Sequence, residues 1–206
     1  IPAQNCGAEV TEGTIYLKAT IRETELFGHC LEVRREISCG AFGSRVVIQD
    51  DIKNRTEQPQ DFMLLYHLNF GYPFLSEHLS LHIPDGTKTT PRNEQSEKGM
   101  REFDRFTPPI DGFLEEVFFH ELPENSPFVI LKNEQLKTGV RIEVSHDTLP
   151  VLAQWRCLKS GDYALGIEPS NCYIMGRAGE RKNGTIKVIE PFGSVSTRVV
   201  LDFFEI

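Results

Sequence analysis

Thr14-Ile-Tyr-Leu-Lys-Ala-Thr-Ile-Arg22 alternates apolar and polar residues without a break, with Ile15, Leu17, Ala19 and Ile21 on one side and Thr14, Tyr16, Lys18, Thr20 and Arg22 on the other. A period of two marks a strand, because successive side chains of extended backbone point to opposite faces. One apolar and one polar face fit an antiparallel sheet with one side on a core and the other in water. Ile15, Leu17, Ala19 and Ile21 are therefore predicted to face inward.

The same texture continues outward from this stretch. Leu31, Val33, Arg35 and Ile37 keep the period between Gly28 and Gly40, and Arg45 to Ile52 supplies a third segment, so the opening of the chain reads as a β meander. Further segments run from Phe128 to Leu131, Val140 to Val144, Leu149 to Arg156, Tyr163 to Asn171, Ile186 to Ile189 and Ser196 to Phe204. Asn133-Glu134, Thr138-Gly139, Gly176-Arg177 and Lys182-Asn-Gly184 read as turns between them. Residues 76–106 are rich in charge and turn formers, including Pro84-Asp-Gly86 and Thr89-Thr-Pro-Arg92, with a short helix expected between Glu94 and Phe103. The fold class expected is all-β, a large antiparallel β-sandwich of roughly a dozen strands. It is read as a single domain over residues 1–206. There is no internal repeat, no phosphate-binding glycine loop and no Gly-x-Ser-x-Gly nucleophile elbow.

Composition narrows the function classes. With 22 Lys and Arg against 30 Asp and Glu, the formal net charge is −8, the wrong sign for nucleic acid, whose binding needs clustered cations. No apolar run reaches the roughly 18 to 20 residues of a membrane helix, and no secretory apolar segment opens the chain, so no membrane partner is expected. The five cysteines, at positions 6, 30, 39, 157 and 172, form no Cys-x-x-Cys pair. Scattered thiols in odd number suit a reducing compartment, and the expected location is cytoplasmic. Asn-x-Thr triplets at Asn54 and Asn183 carry no weight there.

Two segments carry candidate chemistry. Asp61-Phe-Met-Leu-Leu-Tyr-His-Leu-Asn-Phe-Gly-Tyr-Pro73 reads as one buried strand, halted by Gly71 and Pro73, that delivers His67. Leu65, His67 and Asn69 then share one face and Tyr66, Leu68 and Phe70 the other. A polar pair with a greasy backing is what a pocket wall looks like, although a core histidine bonded to backbone would leave the same trace. Tyr163-Ala-Leu-Gly-Ile-Glu-Pro-Ser-Asn171 is the second segment. Pro169 restricts Glu168 to extended backbone and so fixes it near the strand end; the bland reading is a surface glutamate at a turn. In Phe113-Leu-Glu-Glu-Val-Phe-Phe-His120, alternation lets only one of Glu115 and Glu116 face a pocket. Periodicity favours Glu116 together with His120, since Val117 and Phe119 would then enter the core. His78 and His82 lie four apart, a metal-pair spacing only on a helix, whereas Leu79, Leu81 and Ile83 alternate as in a strand.

These segments resemble the aldose 1-epimerase (galactose mutarotase) superfamily. Tyr66-His67-Leu68-Asn69-Phe70-Gly71-Tyr72 is similar to its Asn-His-x-x-Phe-Asn-Leu motif, with Tyr66 and Gly71 where the family has asparagine. Gly166-Ile167-Glu168-Pro169-Ser170-Asn171 is similar to its Gly-x-x-Leu-Glu-x-Gln segment. Tyr-His-x-Asn-Phe-Gly-x-Pro, then Leu-Pro-x-Leu-x-Gln-Trp and Gly-x-Glu-Pro-x-Asn, look closest to a mutarotase-like branch known mainly as a domain of unknown function. The resemblance runs over most of Ile1 to Arg177. It implies the mutarotase-like supersandwich, a small sugar (an aldose) as ligand, and no metal or organic cofactor. The opening Ile-Pro-Ala-Gln-Asn looks like the sequence that follows a His-Gly-Arg segment in that branch, which implies a missing N-terminal part with further strands, a second histidine and an arginine. The family also places a sugar-contacting carboxylate on the equivalent of the Phe113–His120 strand. There the motif alignment leans toward Glu115 while periodicity favours Glu116, so both stay candidates, with His120. Gln154 and Trp155 join them, since an amide can satisfy two hydroxyls and an aromatic face can stack on a pyranose, although a lone tryptophan often only fills core. Asn69 and Arg177 complete the candidate sugar contacts.

Mutarotation needs one group to take the anomeric proton and another to protonate the ring oxygen. A partly desolvated carboxylate and an imidazole suit these roles, so Glu168 is expected as general base and His67 as general acid. The alternative is a non-catalytic carbohydrate-binding or regulatory β-sandwich that keeps the pocket. A metal enzyme using His67, His78, His82 and His120 is disfavoured because these histidines lack compact ligand spacing.

Overall fold

The computed structural model describes all of residues 1–206. Its strands, in chain order, are β1 (Gln4–Thr11), β2 (Thr14–Thr24), β3 (Cys30–Gly40), β4 (Arg45–Asn54), β5 (Gln60–Phe62), β6 (Leu68–Phe70), β7 (Leu79–His82), β8 (Lys88–Pro91), β9 (Glu116–Glu121), β10 (Phe128–Asn133), β11 (Thr138–Val144), β12 (Val151–Lys159), β13 (Asp162–Ser170), β14 (Lys187–Ile189) and β15 (Ser194–Glu205). Two short helices, α1 (Glu94–Lys98) and α2 (Gly176–Asn183), complete it. The chain groups into two units, residues 1–63 with 174–202 and residues 64–173 with 203–206.

In the first unit the expected meander forms, with β1, β2, β3, β4 and β15 adjacent in that order. Ile21 lies opposite Val33, and Val33 opposite Ile52, which is fully buried. Ile15 and Leu17 correct the inward prediction: they are 39% and 47% exposed. They keep the alternation, but alternation assigns a residue to a face and does not say whether that face is covered. The turn reading of Gly176-Arg177 and Lys182-Asn-Gly184 also changes, because the segment is α2. Buried Glu180 caps its start by accepting the Met175 amide (3.1 Å), and Gly184 ends it in the left-handed conformation (φ 70°). The Lys-Asn-Gly signal was a helix end and not a hairpin.

Two buried acids tie the meander together. Asp50 accepts two hydrogen bonds from Arg35 (2.8 and 2.6 Å). Glu32 accepts from Arg22 (2.7 Å), Arg34 (3.3 Å) and Arg55. The Arg55 guanidinium, with Arg22 beside it, pulls the Glu32 carboxyl from 4.5 down to about 2 against the opposite push of burial. A depressed carboxyl stabilises the fold above its unfolded value, and that stability is lost as pH falls through the folded one. Glu32→Gln is therefore expected to cost about 2 kcal/mol at neutral pH, less than the full shift because its arginine partners reach water. Urea denaturation should show the difference shrinking as pH drops from 4.5 toward 2.

The second unit holds the ladder β7, β10 and β11, whose Leu81, Leu131, Val140 and Ile142 are buried, and a five-stranded sheet in the order β6, β13, β12, β9, β8. The single strand expected over Asp61 to Pro73 is instead β5 and β6. Asn171 and Ser170 interrupt it at Leu64: the Leu64 amide donates to Asn171 Oδ1 (2.8 Å), and its carbonyl accepts from the Asn171 amide (3.1 Å) and Ser170 Oγ (3.0 Å). His67 stands just ahead of β6. The turn-rich stretch contains β7, β8 and α1, and the helix ends at Gly99, short of Phe103. No helix is long and apolar enough to cross a membrane, and all five cysteines are free thiols.

Candidate active site

Register across the five-stranded sheet decides which side chains meet, because directly opposed residues share a face. One row runs Glu168, Ala153, Phe119, Thr90. The next runs Asn69, Gly166, Trp155, Val117 and is extended by Arg92, whose amide donates to the Val117 carbonyl (2.9 Å). Ala153 and Gly166 make a floor almost without side chains. Glu168 and His67 stand at one side of it, Trp155 at another, and the tilted wall of Phe119 and Tyr173 closes a third, their rings 5.1 Å apart and nearly perpendicular.

His67 Nε2 lies 2.9 Å from Glu168 Oε1. The two atoms lack hydrogen-bond alignment, and Oε1 is buried without a donor. The Glu168 side chain is only 3% exposed whereas that of His67 is 46% exposed, so the pair is reached from solvent along the imidazole. Burial raises the Glu168 carboxyl above its ordinary value, opposed by the charges of His67 and Arg92 and helped by that of Glu115. A buried acceptor without a donor is costly and uncommon. The His67 ring meets Trp155 edge-on at 5.9 Å, and Trp155 Nε1 donates to Glu115 Oε2 (2.9 Å).

Gly166 is what lets the pair sit over the sheet. A Cβ there would come within 2.4 Å of Glu168 Oε1 and 3.2 Å of His67 Cε1. Gly166→Ala is therefore expected to push carboxyl and imidazole apart, shifting the His67 ring resonances in ¹H–¹⁵N spectra while the chain stays folded. Unmoved resonances would mean that the glycine is incidental.

The opposite face of the same strands carries the other candidates, and this corrects three expectations. Glu116 accepts from Arg156 Nε (2.9 Å) and Nη2, with both side chains 6% exposed. Gln154 and His120 are fully buried and joined (3.1 Å). Gln154 Nε2 also donates to the Phe103 carbonyl (2.7 Å), and His120 Nδ1 pairs with Thr89 Oγ1 (2.9 Å). Burial pushes the His120 imidazole down to about 4, which keeps it neutral. None of these three borders the Glu168 floor. The periodicity argument failed because both faces of β9 are buried: Val117 and Phe119 are indeed apolar and covered, but on the pair's side, with Glu115. Asn69 is exposed on that side too. His82 pairs with Ser80 (2.9 Å), and His78 is exposed beside Glu77. Arg177 belongs to the first unit, exposed on α2, where it lines a separate cavity of about 680 Å³ with Glu25, His29, Asp61 and Arg181. Sequence reasoning missed Arg92, Phe119 and Tyr173. Arg92 lay hidden in a stretch that reads as turns, and its only signal was a position after Pro91 that continues β8.

Residues 1–203 match the family described as Domain of unknown function (DUF4432). No curated protein matches the chain. Among solved structures, an aldose 1-epimerase candidate from Klebsiella pneumoniae superposes with a TM-score of 0.89 at 22% identity, the match covering 96% of this chain and 53% of that one. This chain thus spans about half the length of that relative. An aldose 1-epimerase candidate from Escherichia coli K12 gives 0.72 at 13% identity, covering 100% and 69%. A galactose mutarotase-like protein from Clostridium acetobutylicum gives 0.69 at 14% identity, covering 99% and 67%. Likeness at these identities is likeness of fold, and that fold is the all-β antiparallel sandwich of the galactose mutarotase-like class.

Proposed function

Because the chain belongs to the DUF4432 family and has the galactose mutarotase-like fold, we propose that it binds a small aldose and interconverts its anomers by acid/base opening of the ring. The observation that carries this reading is the buried, donor-free Oε1 of Glu168 facing a half-exposed imidazole. An anomeric hydroxyl arriving over the Ala153 and Gly166 floor supplies the donor that Oε1 lacks. Glu168, its proton affinity raised by burial, takes that proton as His67, in its imidazolium form, gives one to the ring oxygen. The bond between anomeric carbon and ring oxygen breaks, leaving a free aldehyde. Rotation and closure with the proton transfers reversed give the other anomer. The Trp155 ring offers an apolar face for the pyranose, and Glu115, oriented by the Trp155 N–H, accepts from a hydroxyl. The residues need neither metal nor organic cofactor for these steps, and the five free thiols suit the cytoplasm.

The 2.9 Å contact of His67 with Glu168 favours one other reading, a sugar-binding sandwich without turnover. No hemiacetal fits between the two atoms until the imidazole moves aside, and a binder would leave them closed. Anomer-exchange NMR over a panel of free aldoses separates the readings. Saturation transfer between α and β resonances above the spontaneous rate supports the epimerase. Ligand resonances that shift while exchange stays spontaneous support the binder.

A further inference from the structure

Arg92 is the one feature of this face that a neutral sugar does not account for. Its backbone continues β8 and its register partner is Val117, which puts it in the row of Trp155 and Gly166 and on the pair's face. The opposite parity is fixed independently, because Thr89, three residues earlier, bonds the buried His120 on the other face. The Arg92 side chain is exposed, and no carboxylate, carbonyl or hydroxyl of the chain engages its guanidinium. Its charge nonetheless reaches Glu168, whose proton it helps to release. Arg35, Arg45, Arg156 and Arg181 each hold an aspartate or glutamate, whereas Arg92 combines a free guanidinium with a place on the Glu168 face. In an acidic chain of net charge −8, a guanidinium left uncommitted beside the Glu168 and His67 pair is placed for an anion brought from outside. Five N–H donors in a planar fork match a carboxylate or a phosphate far better than a single hydroxyl.

We propose that Arg92 is a specificity residue of this site and that the preferred ligand is an aldose carrying an anionic substituent, a carboxylate or a phosphate ester. The proposal rests on the sugar-binding reading above, and it locates the anionic group across the Trp155 row from the hemiacetal end at Glu168 and His67. Arg92 touches neither the anomeric carbon nor the ring oxygen. It fixes which sugars dwell long enough to react.

The test uses glucose, glucuronate and glucose 6-phosphate as probes, with wild type, Arg92→Gln and Arg92→Lys, reading both binding by NMR titration and anomer exchange. In wild type, one or both anionic sugars should bind about ten- to a hundredfold more tightly than glucose, the worth of a charge-assisted bond. Arg92→Gln should erase that preference by weakening the anionic sugars alone, and Arg92→Lys should restore part of it. The better of glucuronate and glucose 6-phosphate tells carboxylate from phosphate. Equal affinity for all three sugars in wild type, a uniform loss in Arg92→Gln, or no binding of any probe would overturn the proposal. Arg92-dependent binding with only spontaneous anomer exchange would sink the epimerase reading and leave the specificity assignment standing.

Discussion

Glu168→Gln is expected to lower anomer exchange by about 10² to 10⁴, the usual worth of one positioned proton-transfer group, while making the folded protein more stable at neutral pH. The first half follows from removing the buried carboxylate that faces His67. The second follows from burial. A carboxyl whose folded value is raised stabilises the protein below its unfolded value, and that stability is lost as pH rises through the folded one. Once deprotonated, Glu168 is a charge that its burial disfavours, and an amide of nearly the same shape relieves it. Urea denaturation of both proteins at acid and neutral pH measures this directly: their difference should widen with pH in favour of the variant. A variant that keeps wild-type exchange, or that is less stable at neutral pH, would remove Glu168 from its role.

Arg156→Ala is expected to cost about 3 to 5 kcal/mol, because it strands the Glu116 carboxylate in the interior. Arg156 also donates to the carbonyls of Glu102 and Arg105; the former keeps the Arg105 amide as a donor (3.2 Å), while the latter loses its Arg156 donor. Such a cost is a large share of the roughly 5 to 15 kcal/mol by which domains are stable. Replacing both members together, as Glu116→Leu with Arg156→Met, should recover most of the loss, since an apolar pair of similar volume carries no desolvation penalty. Denaturation midpoints of the two single variants and the double one decide this. A double variant no better than Arg156→Ala would mean that the carbonyl contacts, and not the ion pair, hold this region. Substituting Glu116 is not expected to alter sugar affinity beyond what stability explains.

The class of fold was legible because alternation is a local property, and Thr14 to Arg22 displays it without interruption. The meeting of His67 and Glu168 was legible for another reason: both sit in short motifs whose neighbours, Gly166 and Pro169, have steric jobs that leave traces in sequence. Glu115 against Glu116 was not decidable by periodicity, since β9 is covered on both faces and its apolar residues cannot report which face is which. Gln154 and His120 looked like sugar contacts for the same reason, being polar groups within apolar runs. Their partners, Phe103 and Thr89, are remote in sequence, so the satisfaction of these groups inside the protein left no local sign. Helix α2 was missed because Gly176, Gly179 and Gly184 are turn residues by composition, and the bond from the Met175 amide to buried Glu180 that caps the helix leaves no local sign.

The parity of β9, β12 and β13 has an evolutionary corollary. A single residue inserted within β12 would trade Trp155 for Arg156 and Ala153 for Gln154 on the ligand side, placing an indole in the ion-pair socket and a guanidinium over the floor. The geometry of the Glu168 face and the interior electrostatics would fail in one step. A change of length is better tolerated in connections such as the Ser160-Gly161 hairpin, whose glycine already adopts a left-handed backbone (φ 91°), so that the mouth of the site can be altered where its palate cannot.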